Sequence, residues 1–454
     1  MTMLGTHERP LRVAVIGAGP SGFFAAESLL RSLVLCRVDM FDRLPAPYGL
    51  VRGGVAPDHP KIRTVSKTFE KTADHERFSY FGNVTVGRDI TVDELRRFYD
   101  ALLFTCGAET DRPMGIPGEE LPGSHTATSF VGWYNGHPDF RDCVFDLSQE
   151  AVVVVGMGNV AMDVARILAK PVDELRNTDI AEHALDVLAG SRVREIHVVG
   201  RRGAAQVKFT LPELKEMGEI PGCAPVIAPA DLEYGPACLE EINTPGMKRI
   251  AEVMEEYSRL GGDGAARRVR FRFLLSPVEL RGGGRVESAV FEKNRLTGPA
   301  FGQKARGTGE TEEIPCGLVF RSIGYRGVPL PGVPFHERDG VFPNTAGRVE
   351  DNGRTLPGLY CAGWIKRGPS GIIGSNKPDS LETVKNILSD AVSLAPCPEP
   401  DTAAVLRLLG GRGVRVVSFD DWRKIDAAEI ARGQAAGKPR ERFTRVDEML
   451  AVLD

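Results

Sequence analysis

The sequence has no closely spaced cysteine pair. Its eight cysteines are scattered along 454 residues, and none forms a C-x-x-C or C-x-x-x-C motif. Zinc sites, iron–sulfur clusters and redox-active dithiols rely on such local spacing. The sequence therefore predicts neither a metal centre nor a cysteine-based redox site. Sparse cysteines in a long chain are also typical of a reducing cytoplasm.

An excess of one charge and long apolar runs are also missing. Lys and Arg number 57 against 61 Asp and Glu, a net charge of −4, so the bulk charge favours neither nucleic acid nor an anionic membrane as a partner. The apolar stretch from Val13 to Leu30 has the hydrophobicity of a secretory signal, but Gly17, Gly19 and Gly22 interrupt it. No other stretch reaches the roughly 18 apolar residues of a membrane span. We therefore expect a cytoplasmic protein without membrane insertion. Of the oligomeric states, which the sequence does not fix, a monomer is favoured.

Glycine, by contrast, is abundant, with 51 residues against an average usage of about 7%. Part of it marks two stretches that share the order strand, glycine turn, helix. The first has a strand at 11–16, a turn at 17–22, a helix at 23–32 and a strand at 37–41; the second has a strand at 151–155, a turn at 156–161, a helix to 168 and a strand at 195–199. Two such stretches predict an α/β fold with two Rossmann-like dinucleotide-binding domains, each on a mostly parallel sheet.

The first turn has the G-x-G-x-x-G spacing of a nucleotide fingerprint. Gly17 would make the turn, Gly19 would let a pyrophosphate approach the backbone, and the helix from Pro20 would offer free N–H groups to that anion. The predicted contacts in this turn are Gly17, Gly19, Pro20, Ser21 and Gly22. Asp42, twenty residues beyond Gly22, would accept hydrogen bonds from ribose hydroxyls and repel a 2′-phosphate. The site therefore suits FAD or NAD.

The second turn differs at its third glycine, which is Ala161, and at the end of the following strand. There Arg201 and Arg202 stand where the first stretch has its acid. Two guanidiniums at this place can clamp a 2′-phosphate through charge-assisted hydrogen bonds; the alternative is a solvated basic turn. The predicted contacts in the turn itself are Gly156, Met157, Gly158, Asn159 and Val160. Together the two turns favour FAD at the first site and NADP(H) at the second.

Several longer segments resemble the adrenodoxin-reductase-like ferredoxin–NADP reductases, in particular their bacterial members. The matching segments are VAVIGAGPSGFFAAESLL from Val13, YGLVRGGVAPDHPKIR from Tyr48, FVGWYNGHPDF from Phe130, VVGMGNVAMDVARIL from Val154, VVGRRG from Val198, FRSIGYRGVPLPGVPF from Phe320 and GWIKRGPSGIIGSNK from Gly363. They span nearly all of residues 11–390. The segments around APDHPK and GWIKRGPSGIIGSNK are far more specific than a glycine fingerprint.

The resemblance implies that an NADP domain, residues 111–325, is inserted into an FAD domain made of residues 1–110 and 326–454, with a helical appendage at the C-terminus. It implies these FAD contacts: Leu50, Val86, Trp364, Gly371, Ile372 and Ile373. It implies these NADP contacts: Arg112, Glu213 and Gly371. The family commonly has Glu where this chain has Asp42, which shortens the reach to the ribose by one methylene.

Three residues are candidates for catalysis. His59 sits in a proline-flanked loop, where a histidine can simply form structural hydrogen bonds, but the resemblance implies that it relays protons near the flavin. Asp163 could complement the dipole in the first turn of its helix or take the catalytic or electron-path role that the resemblance implies. Glu213 could simply open a helix after Pro212, or bind the nicotinamide.

The activity implied by the resemblance is that of an NADPH:ferredoxin oxidoreductase. Hydride passes from NADPH to N5 of FAD, and electrons then leave singly to an iron–sulfur ferredoxin. Because such ferredoxins are commonly acidic, a basic docking face is expected, either at Lys61, Arg63, Lys67 and Lys71 or at Lys366 and Arg367. The alternatives are a thioredoxin-reductase-type enzyme, a flavin subunit of glutamate synthase and a nucleotide-binding redox sensor. The missing cysteine motifs argue against the first two.

Overall fold

The computed structural model describes residues 3–454, which form two compact units. The first unit runs to Thr110, includes Asn135–Pro138 and resumes at Tyr325; the second contains Asp111–Tyr134 and Asp139–Gly324. These bounds differ from the predicted ones at Tyr325 and at the short segment Asn135–Pro138. The chain thus enters the second unit from within the first, and later returns to the first.

The strands and helices follow one another along the whole described chain. The strands are β1 (Leu11–Ile16), β2 (Cys36–Phe41), β3 (Phe78–Phe81), β4 (Ala101–Phe104), β5 (Thr110–Asp111), β6 (Ser124–Thr126), β7 (Ala151–Val155), β8 (Glu195–Val199), β9 (Cys223–Ile227), β10 (Arg267–Arg272), β11 (Leu275–Arg281), β12 (Ser288–Thr297), β13 (Lys304–Pro315), β14 (Leu318–Arg321), β15 (Tyr325–Arg326), β16 (Asn344–Thr345), β17 (Arg348–Asp351) and β18 (Arg354–Cys361). The helices are α1 (Pro20–Leu30), α2 (Leu50–Gly53), α3 (Pro60–Arg63), α4 (Ser66–Ala73), α5 (Val92–Phe98), α6 (Ala127–Tyr134), α7 (Asn159–Ala169), α8 (Val172–Leu175), α9 (Glu182–Ala189), α10 (Leu211–Gly218), α11 (Pro236–Ile242), α12 (Pro245–Leu260), α13 (Trp364–Arg367), α14 (Asn376–Asp390), α15 (Thr402–Gly411), α16 (Phe419–Ala435) and α17 (Val446–Ala451). Short 3₁₀ turns cover Pro138–Phe140, Ala204–Gln206, Pro229–Leu232 and Ile373–Ser375.

The first unit is built on a sheet with the strand order β16-β17-β18-β4-β1-β2-β3. The strands from β18 to β3 are parallel, and β16 and β17 extend the sheet antiparallel. Every residue of β1 is buried, as expected for a strand covered on both faces. Since β2 and β4 lie on opposite sides of β1, the strand order reverses there, and a crevice is expected at the carboxyl ends of the strands.

The second unit contains a wholly parallel sheet in the order β6-β14-β7-β8-β10-β9. Its central strand β7 lies between β14 and β8, so the order reverses beside the second glycine turn. The α/β class with two Rossmann-like domains, one inserted into the other along the chain, is confirmed. The sequence did not predict the antiparallel sheet β11-β12-β13, which adds a separate apolar cluster around Phe291 and Ile314.

The tail after Pro396 is helical, as predicted, and it is part of the core of the first unit. Trp422 and Ile425 of α16 and Met449 of α17 lie in the same buried cluster as Val13 of β1. The tail is therefore packed against the nucleotide-binding sheet. Among residues 3–454, no helix is both long enough and apolar enough to cross a membrane.

Candidate nucleotide-binding sites

The first glycine turn joins the end of β1 to the start of α1. Gly17 has φ +111°, and a Cβ there would lie 2.6 Å from the carbonyl oxygen of Thr105. A Cβ on Gly22 would lie 2.3 Å from the carbonyl oxygen of Gly17. Nothing lies within 4 Å of a Cβ on Gly19, and no side chain caps the N-terminus of α1, where Pro20 begins the helix. Gly17 and Gly22 therefore close the turn, and Gly19 leaves an open approach to uncapped N–H groups.

Asp42 follows β2 and is fixed by the backbone around it. Its Oδ2 accepts a hydrogen bond from Ala18 N at 2.9 Å, and its Oδ1 accepts one from Leu44 N at 3.0 Å. Burial raises the pKa of this carboxyl, although these two bonds and Arg43 oppose the shift. The carboxylate thus stands beside the glycine turn with acceptor capacity to spare, since each oxygen has a second lone pair.

The segment carrying Leu50 crosses directly over this turn. Tyr48 has φ +86°, and its N–H donates to the carbonyl oxygen of Ala18 at 2.7 Å. A Cβ on Gly49 would lie 3.1 Å from Cα of Gly19, and Leu50 then begins α2. Val86, also predicted as a contact, is buried in one cluster with Ile16, the last residue of β1.

The predicted C-terminal contacts reach the same edge of the sheet through β18. Gly363 has φ +79°, and a Cβ there would lie 2.1 Å from Oγ of Ser21 in the glycine turn. Trp364 begins α13, and its Nε1 donates to the carbonyl oxygen of Ser370 at 3.2 Å. The next turn contains Gly371, Ile372 and Ile373, and Ile372 is 67% exposed. The structure therefore brings Ser21 and the residues after β18 together.

His59 is half-buried and immediately precedes α3, with its N–H bonded to the carbonyl oxygen of Ala56 at 3.0 Å. Pro60 at the first helical position makes this a rigid corner. The structure thus shows how the loop is held. The proton relay implied for His59 stays a prediction.

The geometry of the first site fits FAD. An open glycine at an uncapped helix N-terminus suits a pyrophosphate, and the Asp42 carboxylate can accept ribose hydroxyls. The same carboxylate would repel a 2′-phosphate. The residues present therefore match a dinucleotide without that phosphate.

The second glycine turn repeats this construction between β7 and α7. Gly156 has φ +144°, and a Cβ there would lie 2.2 Å from the carbonyl oxygen of Ser322. Nothing lies within 4 Å of a Cβ on Gly158, and no side chain caps α7. Asn159, the first residue of α7, accepts a hydrogen bond at Oδ1 from Thr210 N at 2.9 Å. Its side chain therefore ties the turn to the segment after Arg202.

Met157 and Val160 occupy the rest of the second turn and are half-buried. The carbonyl oxygen of Met157 accepts hydrogen bonds from the N–H groups of Lys208 and Phe209 at 2.8 and 3.0 Å. A Cβ on Gly200 would lie 2.5 Å from Cγ of Met157. The turn is thus packed against the end of β8, immediately before the two arginines.

Arg201 and Arg202 follow β8 with their backbones fixed and their guanidiniums free. Asn294 Nδ2 donates to the carbonyl oxygen of Arg201 at 3.0 Å. Across residues 3–454, neither guanidinium forms an ion pair or hydrogen bond, whereas the nearby Arg270 pairs with Glu195 at 2.7 Å. Arg202 also lines a cavity of about 230 Å³. Two free cations at this place fit a 2′-phosphate, and hence NADP(H).

Asp163 and Glu213 are brought together by a residue that the sequence interpretation missed, Arg166. Its Nη2 donates to Oδ1 of Asp163 at 2.5 Å and its Nη1 donates to Oε2 of Glu213 at 2.8 Å, from a side chain that is 1% exposed. The only sequence signal was the i, i+3 spacing of Asp163 and Arg166 on one helix face.

The predicted position of Asp163 in the first helical turn was wrong. Helix α7 begins at Asn159, so Asp163 is its fifth residue and lies beyond the first turn, where the dipole acts most strongly. Glu213, in contrast, does lie in the first turn of α10, and it is buried. Arg112 is the second residue of the second unit, and its N–H donates to the carbonyl oxygen of Gly324 at 3.0 Å.

The two groups of basic residues predicted as a docking face differ in exposure and in ion pairing. Lys366 is not a surface cation, because its side chain is 7% exposed and pairs with Asp379 at 3.1 Å and Glu382 at 2.5 Å. Arg367 also lies near Asp379, at 3.6 Å. This group is therefore neutralised within the fold.

The run from Lys61 to Lys71 divides into α3 and α4. Lys61, Lys67 and Lys71 are exposed, while Arg63 turns inward and donates to Oδ1 of Asn135 at 2.6 Å. Of the two groups, only the lysines of α3 and α4 present free ammonium groups to solvent.

Residues 11–202 match the sequence model of the pyridine nucleotide-disulphide oxidoreductase family. The chain is 45% identical to the mitochondrial NADPH:adrenodoxin oxidoreductase of Homo sapiens, over 99% of this chain and 93% of that protein. It is 44% identical to the NADPH-ferredoxin reductase FprA of Mycobacterium tuberculosis, over 98% of this chain and 99% of that protein.

Comparison with solved structures gives the same result. The structure of Mycobacterium tuberculosis FprA in complex with NADPH matches with a TM-score of 0.92 at 44% identity, covering 98% of this chain and 99% of that one. A likeness at this level extends over both units and both glycine turns.

Proposed function

The chain belongs to the family of NADPH:adrenodoxin and NADPH–ferredoxin reductases, and from this we propose that it is an FAD-dependent NADPH:ferredoxin oxidoreductase. FAD is bound by the first unit and NADP(H) by the second. The electron acceptor is an iron–sulfur ferredoxin. Relatives named for adrenodoxin and for ferredoxin as partners support this choice of acceptor.

One contrast carries the proposal. At the end of the second strand of each Rossmann-like fold, the first unit has the Asp42 carboxylate and the second has the unpaired guanidiniums of Arg201 and Arg202. Opposite charges at corresponding positions select dinucleotides without and with a 2′-phosphate. FAD at the first site and NADP(H) at the second meet both requirements.

The residues of the first unit would bind and orient FAD. The open position at Gly19 would admit the pyrophosphate, Asp42 would accept the ribose hydroxyls, and Leu50, Val86 and Trp364 would contact the flavin. When bound, FAD accepts hydride from NADPH and releases electrons one at a time. Gly371, Ile372 and Ile373 would also contact FAD, Gly371 is in addition a proposed NADP(H) contact, and His59 is the proposed proton relay.

The residues of the second unit hold the nicotinamide nucleotide. Gly158 would admit its pyrophosphate, Arg201 and Arg202 would clamp its 2′-phosphate, and Arg112 and Glu213 would complete the contacts. Arg166 is a positioning residue, because its guanidinium holds the carboxylates of Asp163 and Glu213. Removing it would leave two carboxylates without that buried cation.

The exposed lysines of α3 and α4 are the proposed docking cations for the acidic ferredoxin. Their charge would steer association and make it sensitive to salt. A cytoplasmic location and a monomeric state stay predictions.

The test uses the purified holoprotein with NADPH, a [2Fe–2S] ferredoxin and cytochrome c as the final acceptor. Cytochrome c reduction that depends on both NADPH and ferredoxin is the expected result, with NADH as the matched control giving much slower turnover. If NADPH bleaches the flavin but neither ferredoxin nor ferricyanide is reduced, the chain is a redox sensor instead. If purified protein neither contains nor takes up FAD, the proposal fails.

A further inference from the structure

The segment Tyr48–Gly53 is held in a strained conformation over the first glycine turn. Tyr48 is not glycine, yet it has φ +86°, a region that L-residues adopt only when their surroundings over-determine it. On the inner side, its N–H is bonded to Ala18 and Gly49 lies against Gly19. Contacts on the side of the segment that faces away from the glycine turn would also be needed to maintain this conformation.

That outer support is α16, in the C-terminal tail. The Trp422 ring packs edge-on against Tyr48, with centroids 6.0 Å apart, and the Arg52 guanidinium lies over the same Trp422 ring at 5.0 Å. One indole therefore contacts both ends of the segment. No sequence motif connects these residues, which are separated by about 370 positions.

The support is secured by a buried carboxylate, Glu429, about two turns beyond Trp422 in α16. Its side chain is fully buried and accepts hydrogen bonds from Arg52 Nη1 at 2.9 Å and Arg52 Nη2 at 2.5 Å. It also accepts hydrogen bonds from Arg440 Nη1 at 2.9 Å and from Phe443 N at 3.0 Å. Burial opposes its ionisation, but the arginines prevail and lower its pKa.

The chain after α16 returns to the same segment. Arg442 Nη1 donates to the carbonyl oxygen of Arg52 at 2.5 Å and to that of Asn135 at 2.8 Å. The tail thus binds both the side chain of Arg52, through Glu429, and its backbone, through Arg442.

We propose that the C-terminal tail positions Tyr48–Gly53 over the first glycine turn and thereby sets the affinity of the chain for FAD, with Glu429 as the positioning residue. The inference rests on the proposed binding of FAD in this unit. It assigns the tail a part in cofactor retention, although the tail carries no nucleotide motif.

The test compares holoproteins carrying Glu429→Gln and Arg52→Lys with wild type. FAD release on serial dilution is followed by the rise in free-flavin fluorescence. Thermal unfolding is recorded with and without added FAD. We expect the dissociation constant for FAD to rise about tenfold or more in Glu429→Gln, the scale of one lost charge-assisted bond. Arg52→Lys keeps the charge without the two-pronged contact and should give a smaller rise.

Asp100→Asn is the control for a buried carboxylate that does not contact α16. Asp100 is equally buried in the same unit and accepts hydrogen bonds from Arg9 at 2.7 and 3.1 Å. Its contact with the tail, from Cys397 N at 2.8 Å, lies before α15. It should lower the unfolding temperature while leaving the FAD dissociation constant within about twofold of wild type. Equal FAD affinity in Glu429→Gln and Asp100→Asn would overturn the inference. If Glu429→Gln does not fold, Arg52→Lys decides by the same comparison. A wild-type protein that binds no FAD would instead refute the proposed function.

Discussion

Arg166 donates to Oε2 of Glu213 at 2.8 Å across 47 residues of sequence, from a side chain that solvent barely reaches. The same guanidinium binds Asp163. Two acidic residues that the sequence suggested as separate candidates are therefore parts of one charged cluster. Their positions depend on a cation that belongs to neither glycine turn.

We expect Arg166→Met to lower the free energy of unfolding by about 3 kcal/mol, because it removes the buried cation that the Asp163 and Glu213 carboxylates share. Arg166→Lys should lose less, since it keeps the charge. Urea unfolding measures both. Arg348→Met, which breaks the more exposed pair with Asp390, is the control and should cost at most about 1 kcal/mol. Equal losses at the two sites would contradict the importance of burial.

The double variant Arg201→Ala/Arg202→Ala should weaken NADPH binding about 100-fold and NADH binding far less, since only NADPH has the 2′-phosphate that these charges would hold. KM values for the two nucleotides provide the measurement. Arg306→Ala removes an exposed charge from the same unit and should alter neither value. Equal losses for NADPH and NADH would rule out the assignment of the 2′-phosphate.

Substitution of the two open glycines should weaken nucleotide binding without disturbing the fold. Gly19→Ala and Gly158→Ala meet no atom within 4 Å, so both variants should fold normally. The first should lose FAD, and the second should raise KM for NADPH with FAD content unchanged. Gly22→Ala meets a backbone oxygen at 2.3 Å and should destabilise the fold itself. Gly246→Ala, at an equally open position, is the neutral control. Normal FAD content in Gly19→Ala would contradict the placement of the pyrophosphate.

Thiol reagents should leave activity intact. Burial raises the pKa of Cys106 to about 12 and that of Cys361 further still, beside the first glycine turn. Iodoacetamide attacks thiolates, so alkylation of these two residues at pH 7.5 should be slow. Intact mass and NADPH oxidation are measured together. A dithiol reductase would be inactivated rapidly under these conditions.

Two histidines should make the second unit sensitive to acid. Burial, aided by Arg321 and Arg272 respectively, lowers the pKa of His125 and of His197 from 6.5 to about 4. Between pH 6.5 and 4 the unfolded chain therefore binds protons that the folded chain does not, and stability falls as the pH falls.

The variant His125→Gln/His197→Gln should accordingly show a smaller drop in unfolding temperature between pH 6.5 and 4.5 than wild type. Scanning calorimetry supplies the comparison. The exposed His7→Gln is the control and should behave as wild type does. An unchanged pH dependence in the double variant would show that other groups govern acid sensitivity.

Local chemistry explains why the two turns were predictable. A strand of buried aliphatic residues, a glycine turn and a helix are contiguous in sequence, so their spacing is visible without a fold. The end of α7 and the start of α10 are not contiguous, and neither are Arg52 and Glu429. Whether Arg166 pairs with Glu213, or Arg52 with Glu429, depends on which elements pack together in the fold. The hydrophobic periodicity of either segment does not predict this packing.

The α/β class, the two glycine turns and the opposite charges that follow them are readable in the sequence, because each is a short-range pattern imposed by backbone geometry. The neutralisation of Lys366, the link that Arg166 makes between Asp163 and Glu213, and the support of Tyr48 by the C-terminal tail follow from the folded arrangement. Those relationships arise where distant segments are buried together, and a buried charge must find its partner wherever the packing places one.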